Sequence, residues 1–261
     1  MLGPQEDETL DRLVGDWKIL QLRRGHRFST DDLVCAWRAS VVAPDAVRLL
    51  DIGSGIGSVG LSVLHRARPE AYLTTVEAQE VSIGLARRTV ELNGLKQRVT
   101  LHHGDLRDPE VLPPDARFDL ITGSPPYIPP DKGVASPIPQ RAYARLEFRG
   151  SVFDYCEAAA RWLAPGGRFC FVMAARDERT EAAPVAAGLK VVERWDYVFA
   201  RSADPLICTC VCMRADEAPG ERTTGRLVIR GPDGAWTEDY MAFRREMGSP
   251  VDIRPEPSPR G

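Results

Sequence analysis

The sequence predicts an α/β protein built around a mostly parallel sheet. From residue 47 onward, short apolar runs alternate with longer amphipathic stretches, at the spacing of strand–helix–strand units. The first of these runs ends in a glycine-rich segment, which is typical of the turn between a strand and a ligand-binding helix. The chain has 261 residues, of which 43% are hydrophobic and 27% charged, so it can form a sizeable core without metals or disulfides.

Each predicted strand is a short apolar run that ends at a turn signal. The first five runs are VRLLDI (47–52), YLTTVE (72–77), RVTLHH (98–103), RFDLITG (117–123) and RFCFVMA (168–174). Between them, helices are predicted at 57–66, 79–95 and 151–163, with a proline-rich loop at 124–140. Because strands that alternate with helices are joined by right-handed crossovers, these five strands should lie parallel in one sheet.

The pattern changes after residue 174. The runs 190–199 and 206–213 are two strands with only a short turn between them, which predicts an antiparallel hairpin at the sheet edge. The segment 225–231 and a helix at 238–247 follow. The sequence therefore predicts one domain over 28–247, with an N-terminal extension (1–27) and a tail (248–261) whose composition is that of a disordered segment.

Charge and cysteine content restrict the class of protein further. The formal charge of −3 excludes a strongly basic nucleic-acid coat but leaves room for a local basic patch. Cys208, Cys210 and Cys212 alternate along a predicted strand and should line its buried face as small hydrophobic residues. Their spacing is not that of a zinc site, so no metal is predicted. Reduced thiols and an acidic N-terminus unlike a signal peptide predict the cytoplasm.

The glycine-rich segment LLDIGSGIGSVGL (49–61) predicts a nucleoside-containing cofactor. Glycines at a strand-to-helix turn let the backbone approach a ligand closely. Gly55, Gly57 and Gly60 satisfy the G-x-G-x-x-G fingerprint of dinucleotide binding, so NAD is one candidate. Glu77 ends the next strand, where a carboxylate accepts hydrogen bonds from ribose hydroxyls with either cofactor.

Two acidic residues favour S-adenosylmethionine (SAM) over NAD. Asp51 precedes Gly53 by two residues, and a carboxylate there suits the ammonium group of SAM but not a pyrophosphate. Gly104-Asp105 ends the third strand, where the acid can accept a bond from the adenine amino group; a simple Asp turn is the alternative. The cofactor-binding residues predicted at these strand ends are Asp51, Gly53, Ser54, Gly55, Gly57, Glu77, Ala78, Gly104, Asp105 and Leu106.

Ser124, Pro125, Pro126 and Tyr127 follow the fourth strand, at the edge where open α/β sheets bind ligands. The amino nitrogen of a base or an amide is a poor nucleophile, because its lone pair is delocalised. The Ser124 hydroxyl and the Pro125 carbonyl could accept both N–H groups and aim the lone pair at the SAM methyl group, while Tyr127 stacks on the planar substrate. These four residues are the predicted catalytic loop; a plain proline-rich turn is the alternative.

These motifs resemble those of class I SAM-dependent amino methyltransferases, in which Asn, Asp or Ser precedes Pro-Pro and an aromatic residue. The segments FSTDDLVCAW (28–37) and RLVIRGPDGAWTEDY (226–240) are similar to the bacterial valine-tRNA adenine-N6 methyltransferases. The resemblance implies a seven-stranded Rossmann-like fold with an antiparallel last core strand. It also implies methylation of the N6 amine of an adenine beside the anticodon of a tRNA.

Two features need separate consideration: the residue at position 124 and the role of Thr30 and Asp31. The family usually carries Asn at the position of Ser124, and a hydroxyl, unlike an amide oxygen, is both donor and acceptor. Thr30 and Asp31 are predicted to contact the cofactor as a lid over the site. The alternative is that they cap a helix that starts near Asp32.

Arginines flank both ends of the predicted site in sequence. One cluster comprises Arg23, Arg24, His26 and Arg27. The other comprises Arg141, Arg145 and Arg149, which would share one face if this segment were helical. Substrate contacts are predicted for Arg24, Arg27, Arg141 and Arg145. A solvated charged face is the alternative for either cluster.

Three hypotheses for function follow. The first is SAM-dependent N6-methylation of an unpaired adenine in RNA, with tRNA as the expected partner and a single chain as the expected active unit. The second is N-methylation of a protein glutamine or a small amine, which the same loop could hold. The third, of another class, is a noncatalytic Rossmann module that binds nucleotides or RNA, or an NAD enzyme.

Overall fold

The computed structural model describes residues 3–128, 136–199 and 204–250, with only the backbone of residue 145, and this part of the chain forms ten strands and seven helices. The strands are β1 (Glu8–Val14), β2 (Trp17–Leu22), β3 (Arg48–Ile52), β4 (Tyr72–Glu77), β5 (Val99–His103), β6 (Phe118–Gly123), β7 (Leu163–Ala174), β8 (Leu189–Val198), β9 (Pro205–Arg214) and β10 (Thr223–Val228). The helices are α1 (Thr30–Val42), α2 (Ser58–Arg66), α3 (Glu80–Leu92), α4 (Pro139–Arg145), α5 (Val152–Trp162), α6 (Arg179–Ala186) and α7 (Glu238–Glu246). None of these helices is long and apolar enough to span a bilayer.

The central sheet of the described residues has eight strands in the order β10-β8-β9-β7-β6-β3-β4-β5. Strands β3 to β7 run parallel, and β9 is antiparallel to both of its neighbours. The predicted Rossmann-like fold with an antiparallel last core strand is therefore confirmed, and β10 adds an eighth strand, parallel to β8. The chain runs outward from β3 to β5 and then returns to β6, so the strand order reverses between β3 and β6.

Between residues 163 and 228, three elements differ from the sequence-based predictions. The β8–β9 hairpin exists but does not form the edge of the sheet, because β10 pairs with β8. Strand β7 begins at Leu163 rather than at residue 168, since the chain pairs with Phe118 as soon as α5 ends. Helix α6 is not predicted, and Pro184 inside it masks its helical pattern. The tail residues 251–261 lie outside the described residues.

Residues 8–22 of the predicted N-terminal extension form an antiparallel hairpin of β1 and β2. Leu13 and Leu20 are fully buried in the same core cluster as side chains of α1, α2 and α3. The backbone N–H of Leu20 donates to the Thr89 hydroxyl of α3 at 3.1 Å. The hairpin is thus part of the folded core on one face of the sheet.

The hydrophobic core lies on both faces of the sheet. Alternate residues of β3 show this, because Leu49 joins the cluster with α1 to α3, whereas Leu50 joins the cluster with α5. The three alternating cysteines Cys208, Cys210 and Cys212 are all buried on the α5 face, as predicted. With both faces covered, ligands can approach the sheet at its edges, and the carboxyl edge is where the strand order reverses.

Candidate active site

A cavity of about 790 Å³ opens at the carboxyl ends of β3, β4, β5 and β6. It lies at the reversal of strand order, where open α/β sheets bind ligands. Every residue predicted for the site lines this cavity except Gly57, Thr30 and Arg145. Gly57 is the N-cap of α2, and the side chain of Arg145 lies outside the described residues. The structure therefore brings together the cofactor and catalytic sets predicted from the sequence.

The turn after β3 has a backbone that only glycine adopts readily. Gly53 and Gly55 have φ angles of 61° and 56°, in the left-handed region. A Cβ atom on Gly53 would lie 1.9 Å from the Tyr155 hydroxyl oxygen. A Cβ on Gly55 would meet no atom within 4 Å and would occupy the cavity itself. This turn is a cradle for a ligand that approaches the backbone closely.

Asp51 is almost completely buried beneath this turn, with 1% exposure. Its Oδ2 accepts the backbone N–H of Gly60 at 2.9 Å, and its Oδ1 accepts the Thr122 hydroxyl at 2.7 Å. Burial raises the pKa of Asp51 to about 7, in spite of both hydrogen bonds. No cationic side chain of the described residues pairs with this carboxylate, and a ligand ammonium group would supply the missing positive charge.

Glu77 and Asp105 lie at the ends of β4 and β5. The Glu77 carboxylate accepts the N–H of Gly55 at 2.8 Å and that of Gln79 at 2.6 Å, and burial raises its pKa. The pKa of Asp105 is lowered, chiefly by its hydrogen bond with Arg107, whose Nη2 lies 2.6 Å from Oδ2. The Asp105 carboxylate thus already binds the Arg107 guanidinium, and an adenine amino group would have to share this carboxylate with Arg107.

These residues fit SAM. The Ser54 hydroxyl is buried, lines the cavity and has no hydrogen-bond partner in the described residues, so it can serve a polar group of a ligand. The carboxyl groups of Asp32, Asp51 and Glu77 line the same cavity, and burial raises the pKa of each. A ligand with a sulfonium and an ammonium group would stabilise their charged forms.

The catalytic loop follows β6 directly. Within the described residues, neither the Ser124 hydroxyl nor the Pro125 carbonyl has a hydrogen-bond partner, and both residues line the cavity. Tyr127 is held on two sides. Its hydroxyl donates to Asp31 Oδ2 at 3.0 Å, and its carbonyl accepts Arg179 Nη2 at 3.4 Å. In the described part of the chain, the loop therefore presents two acceptors without a partner and an aromatic ring that is held in place.

Helix α1 begins at Thr30, two residues earlier than the start considered in the sequence. Ser29 is its N-cap, and the Asp32 carboxylate completes the capping box by accepting the Ser29 N–H at 2.7 Å. The Thr30 hydroxyl lies 3.2 Å from the Tyr240 hydroxyl and not in the cavity. Asp31 does line the cavity, and its carboxylate accepts the Tyr127 hydroxyl.

The arginines divide into paired and unpaired groups. Arg27 binds Asp11 of the hairpin, with Nη2 and Oδ2 2.9 Å apart. Arg24 and Arg141 line the cavity, and neither guanidinium has a partner among the described residues. The second cluster was expected to share one face only if the segment were helical, and that condition is not met: α4 ends at Arg145, and the Arg149 guanidinium lies over the Tyr143 ring at 4.7 Å.

The sequence-based reasoning missed several groups that shape the site. Thr122 lies opposite Asp51 in the register of β6 and β3, two residues before Ser124, so its strand position was a usable signal. Arg179 follows β7. It donates to the Tyr127 carbonyl of the catalytic loop, and its Nη1 lies 2.7 Å from Glu147 Oε1. Tyr155 of α5 fills the space above Gly53. No local pattern marks Arg179 or Tyr155, because their partners are distant in sequence.

Known proteins share this architecture. Residues 39–186 match the family described as the methyltransferase small domain. A predicted O-methyltransferase from Agrobacterium tumefaciens has a similar structure, with a TM-score of 0.61 and 20% identity over 84% of this chain and 98% of that one. A putative class I SAM-dependent methyltransferase from Listeria monocytogenes gives a TM-score of 0.55 at 14% identity, over 87% of this chain and 73% of that one. The chain thus belongs to the methyltransferase small domain family and has the fold of class I SAM-dependent methyltransferases.

One relative shows which family of methyltransferases the chain belongs to. The tRNA1(Val) (adenine(37)-N6)-methyltransferase of Citrobacter koseri is 30% identical over 218 residues, which is 83% of this chain and 86% of the relative. With this identity over most of both chains, the protein belongs to the family of tRNA1(Val) (adenine(37)-N6)-methyltransferases.

The raised pKa of Asp51 predicts that SAM binding releases protons. With a pKa of about 7, Asp51 is half protonated at pH 7, and an ammonium group bound beside it lowers that pKa. We expect about half a proton to be released per SAM at pH 7, and SAM affinity to rise as the pH increases from 6 to 7. Calorimetry in buffers of different ionisation enthalpy measures this release.

A matched control is Asp45→Asn, which removes an exposed carboxylate outside the cavity and should leave the proton release unchanged. Zero release, or proton uptake, at pH 7 would show that Asp51 is already ionised before the cofactor binds.

The hydrogen bond from Tyr127 to Asp31 predicts that Asp31 positions the catalytic ring. Asp31→Ala should lower kcat about tenfold, as expected for one lost hydrogen bond to a charged group. The affinity for SAM should stay within about twofold, and Asp31→Asn, which keeps an acceptor, should retain most activity. If Asp31→Ala instead weakens SAM binding with kcat unchanged, then Asp31 contacts the cofactor, as the sequence predicts.

Proposed function

We propose that this protein transfers a methyl group from SAM to the N6 amine of an unpaired adenine beside the anticodon of a tRNA, and that a single chain does so in the cytoplasm. One observation carries the proposal: two acceptors without a partner among the described residues, the Ser124 hydroxyl and the Pro125 carbonyl, belong to residues that line the same cavity as Tyr127, after the end of β6. The family membership supports it, because the relative from Citrobacter koseri is named for adenine-N6 methylation of tRNA. We further propose that residues 28–247 form the catalytic domain, on which the β1–β2 hairpin packs.

The chemistry requires little acid–base catalysis. When bound, SAM supplies an electrophilic methyl group on a sulfonium. The two acceptors bind the two N–H groups of the adenine amine and so direct the nitrogen lone pair, while Tyr127 holds the plane of the base. Methyl transfer would leave the amine nitrogen cationic, and this product would then lose a proton, so no residue of the loop has to act as a base before transfer. Positioning thus supplies most of the rate enhancement at this site.

The Tyr127 hydroxyl is not a base in this scheme. Burial raises the pKa of Tyr127 well above its usual value, so the hydroxyl stays protonated and donates to Asp31. Its role is to fix the ring that the base stacks on. The Asp31 carboxylate and the Arg179 guanidinium hold the side chain and the backbone of this residue from two different helices.

The cavity admits a base beside the cofactor. Its volume of about 790 Å³ lies in the upper part of the range of ~300–1,000 Å³ that small-molecule sites occupy. Adenine must leave its stack to enter, and extrusion costs least for a base that is already unpaired. Arg24 and Arg141, which have no partner in the described residues, line the cavity and can contact the phosphates of such a loop.

The experiment that tests this function uses labelled SAM and total tRNA. We expect label in tRNA as N6-methyladenine at a single anticodon-loop position, because the cavity holds one extruded base. Asp51→Ala, which removes the carboxylate under the cofactor turn, should abolish labelling. Label in protein or small molecules, with none in RNA, would instead support methylation of a glutamine or a small amine.

Ser124 provides the sharpest mutational test of the loop. Ser124→Ala should lower kcat/KM about 10–100-fold, since one acceptor of the amine is lost at the transition state. Ser124→Asn places an amide oxygen at the same position and should retain activity, and neither change should alter SAM affinity. Unchanged turnover by Ser124→Ala would show that the loop is structural and does not orient the amine.

A further inference from the structure

Two large aromatic side chains are exposed beside the mouth of the cavity. Tyr143 of α4 and Phe148, just after it, are 37% and 45% exposed, and their rings meet edge to face at 5.7 Å. Tyr143 lines the cavity, whereas Phe148 is not among its lining residues. The pair, which we call the aromatic rim, therefore extends from the cavity to the outer surface.

The aromatic rim is held in place before any substrate binds. The Arg149 guanidinium lies 4.7 Å from the centre of the Tyr143 ring, and it donates to the carbonyl of Ala78. Such a cation–π contact fixes one face of the ring. Less conformational entropy is then lost when a planar ligand stacks on the pair.

The rim is also fastened to the catalytic loop. Ile128, the residue after Tyr127, forms a parallel bridge with Leu146, and the Glu147 N–H donates to the Ile128 carbonyl at 3.1 Å. The Glu147 carboxylate binds Arg179, the same residue that contacts the Tyr127 carbonyl. The rim and the Tyr127 ring are thus parts of one connected unit, so a ligand could contact both with a fixed spacing.

The charge around the rim favours a phosphate-bearing ligand. Arg141, two residues before Tyr143, and Arg24 are exposed and line the cavity, and neither guanidinium has a partner in the part of the chain that the structure describes. By contrast, Arg27 and Arg179 are committed to acidic partners. Aromatic faces next to free arginines are the combination that binds single-stranded nucleic acid.

We infer that the aromatic rim is a stacking site for a base adjacent to the target adenine in single-stranded RNA. The inference rests on the proposed function. Extrusion of the adenine leaves its neighbours without a stacking partner, and Tyr143 or Phe148 replaces that partner for one of them. Because every base has an aromatic face, the rim recognises an unpaired neighbour rather than a particular sequence.

The test measures binding of a fluorescent anticodon stem-loop by anisotropy, with SAM present. The double variant Tyr143→Ala, Phe148→Ala should weaken binding about tenfold or more. KM for RNA should rise with kcat within about twofold, and SAM affinity should not change. Tyr72→Ala is the matched control, since Tyr72 is 39% exposed at the opposite, amino end of β4. Equal affinity of the double variant and the wild type, or an equal loss with Tyr72→Ala, overturns the inference.

A second substrate separates the inference from the proposed function. A stem-loop with a base-free sugar beside the target adenine should bind the wild type about tenfold more weakly, and the double variant should not distinguish it from the intact RNA. If the wild type methylates RNA but does not respond to the missing base on either side, the stacking site is wrong and the proposed function stands. If the wild type methylates no RNA, the proposed function fails, and the rim has no role in RNA stacking.

Discussion

The buried carboxylate of Asp51 is the constraint on which the site depends. It joins three elements, because it lies in β3, accepts the Gly60 N–H of α2 and accepts the Thr122 hydroxyl of β6. These contacts fix the turn where the strand order reverses, and so place the cofactor cradle beside the catalytic loop. A buried charge without a partner costs free energy, and for this reason the pKa of Asp51 is raised to about 7. A cationic ligand offsets that cost, so the carboxylate that shapes the site also favours a cationic cofactor.

Much of the fold could be predicted because hydrophobic period and strand spacing are local properties. The predicted runs that correspond to β3, β4, β5 and β6 each end at a site residue or one residue before it; these site residues are Gly53, Glu77, Gly104 and Ser124. Parallel strands bring their carboxyl ends to one edge of the sheet, so these residues could be predicted to lie together. The hairpin at 8–22 was not predicted, since its burial comes from side chains of α2 and α3 far along the chain. The prediction that the β8–β9 hairpin forms the sheet edge was wrong for a similar reason, because the pairing of β10 with β8 depends on tertiary contacts that no local pattern shows.

The site was predictable as a set of residues but not as a set of contacts. Tyr127 and Asp31 are 96 residues apart, and Thr122 and Asp51 are 71 apart, so no local pattern relates them. The arginines show the limit most clearly. Arg24 and Arg27 are nearly adjacent in sequence, yet Arg27 is bound to Asp11, while Arg24 has no partner in the described residues. Sequence gives the number of cations, but acidic partners placed by the fold decide which of them can bind a phosphate.

The division of the arginines into those with and those without acidic partners also reconciles a net charge of −3 with RNA binding. Most of the affinity of a basic coat comes from released counterions, which requires many free cations. Here Arg27, Arg38, Arg88, Arg179 and Arg194 each bind acidic groups of the protein itself. These ion pairs reduce the number of cations that are available to phosphates, so part of the affinity must come from other contacts. A crevice that takes one base, next to exposed aromatic rings, supplies it through stacking, which depends on unpaired nucleotides rather than on the total charge of the RNA.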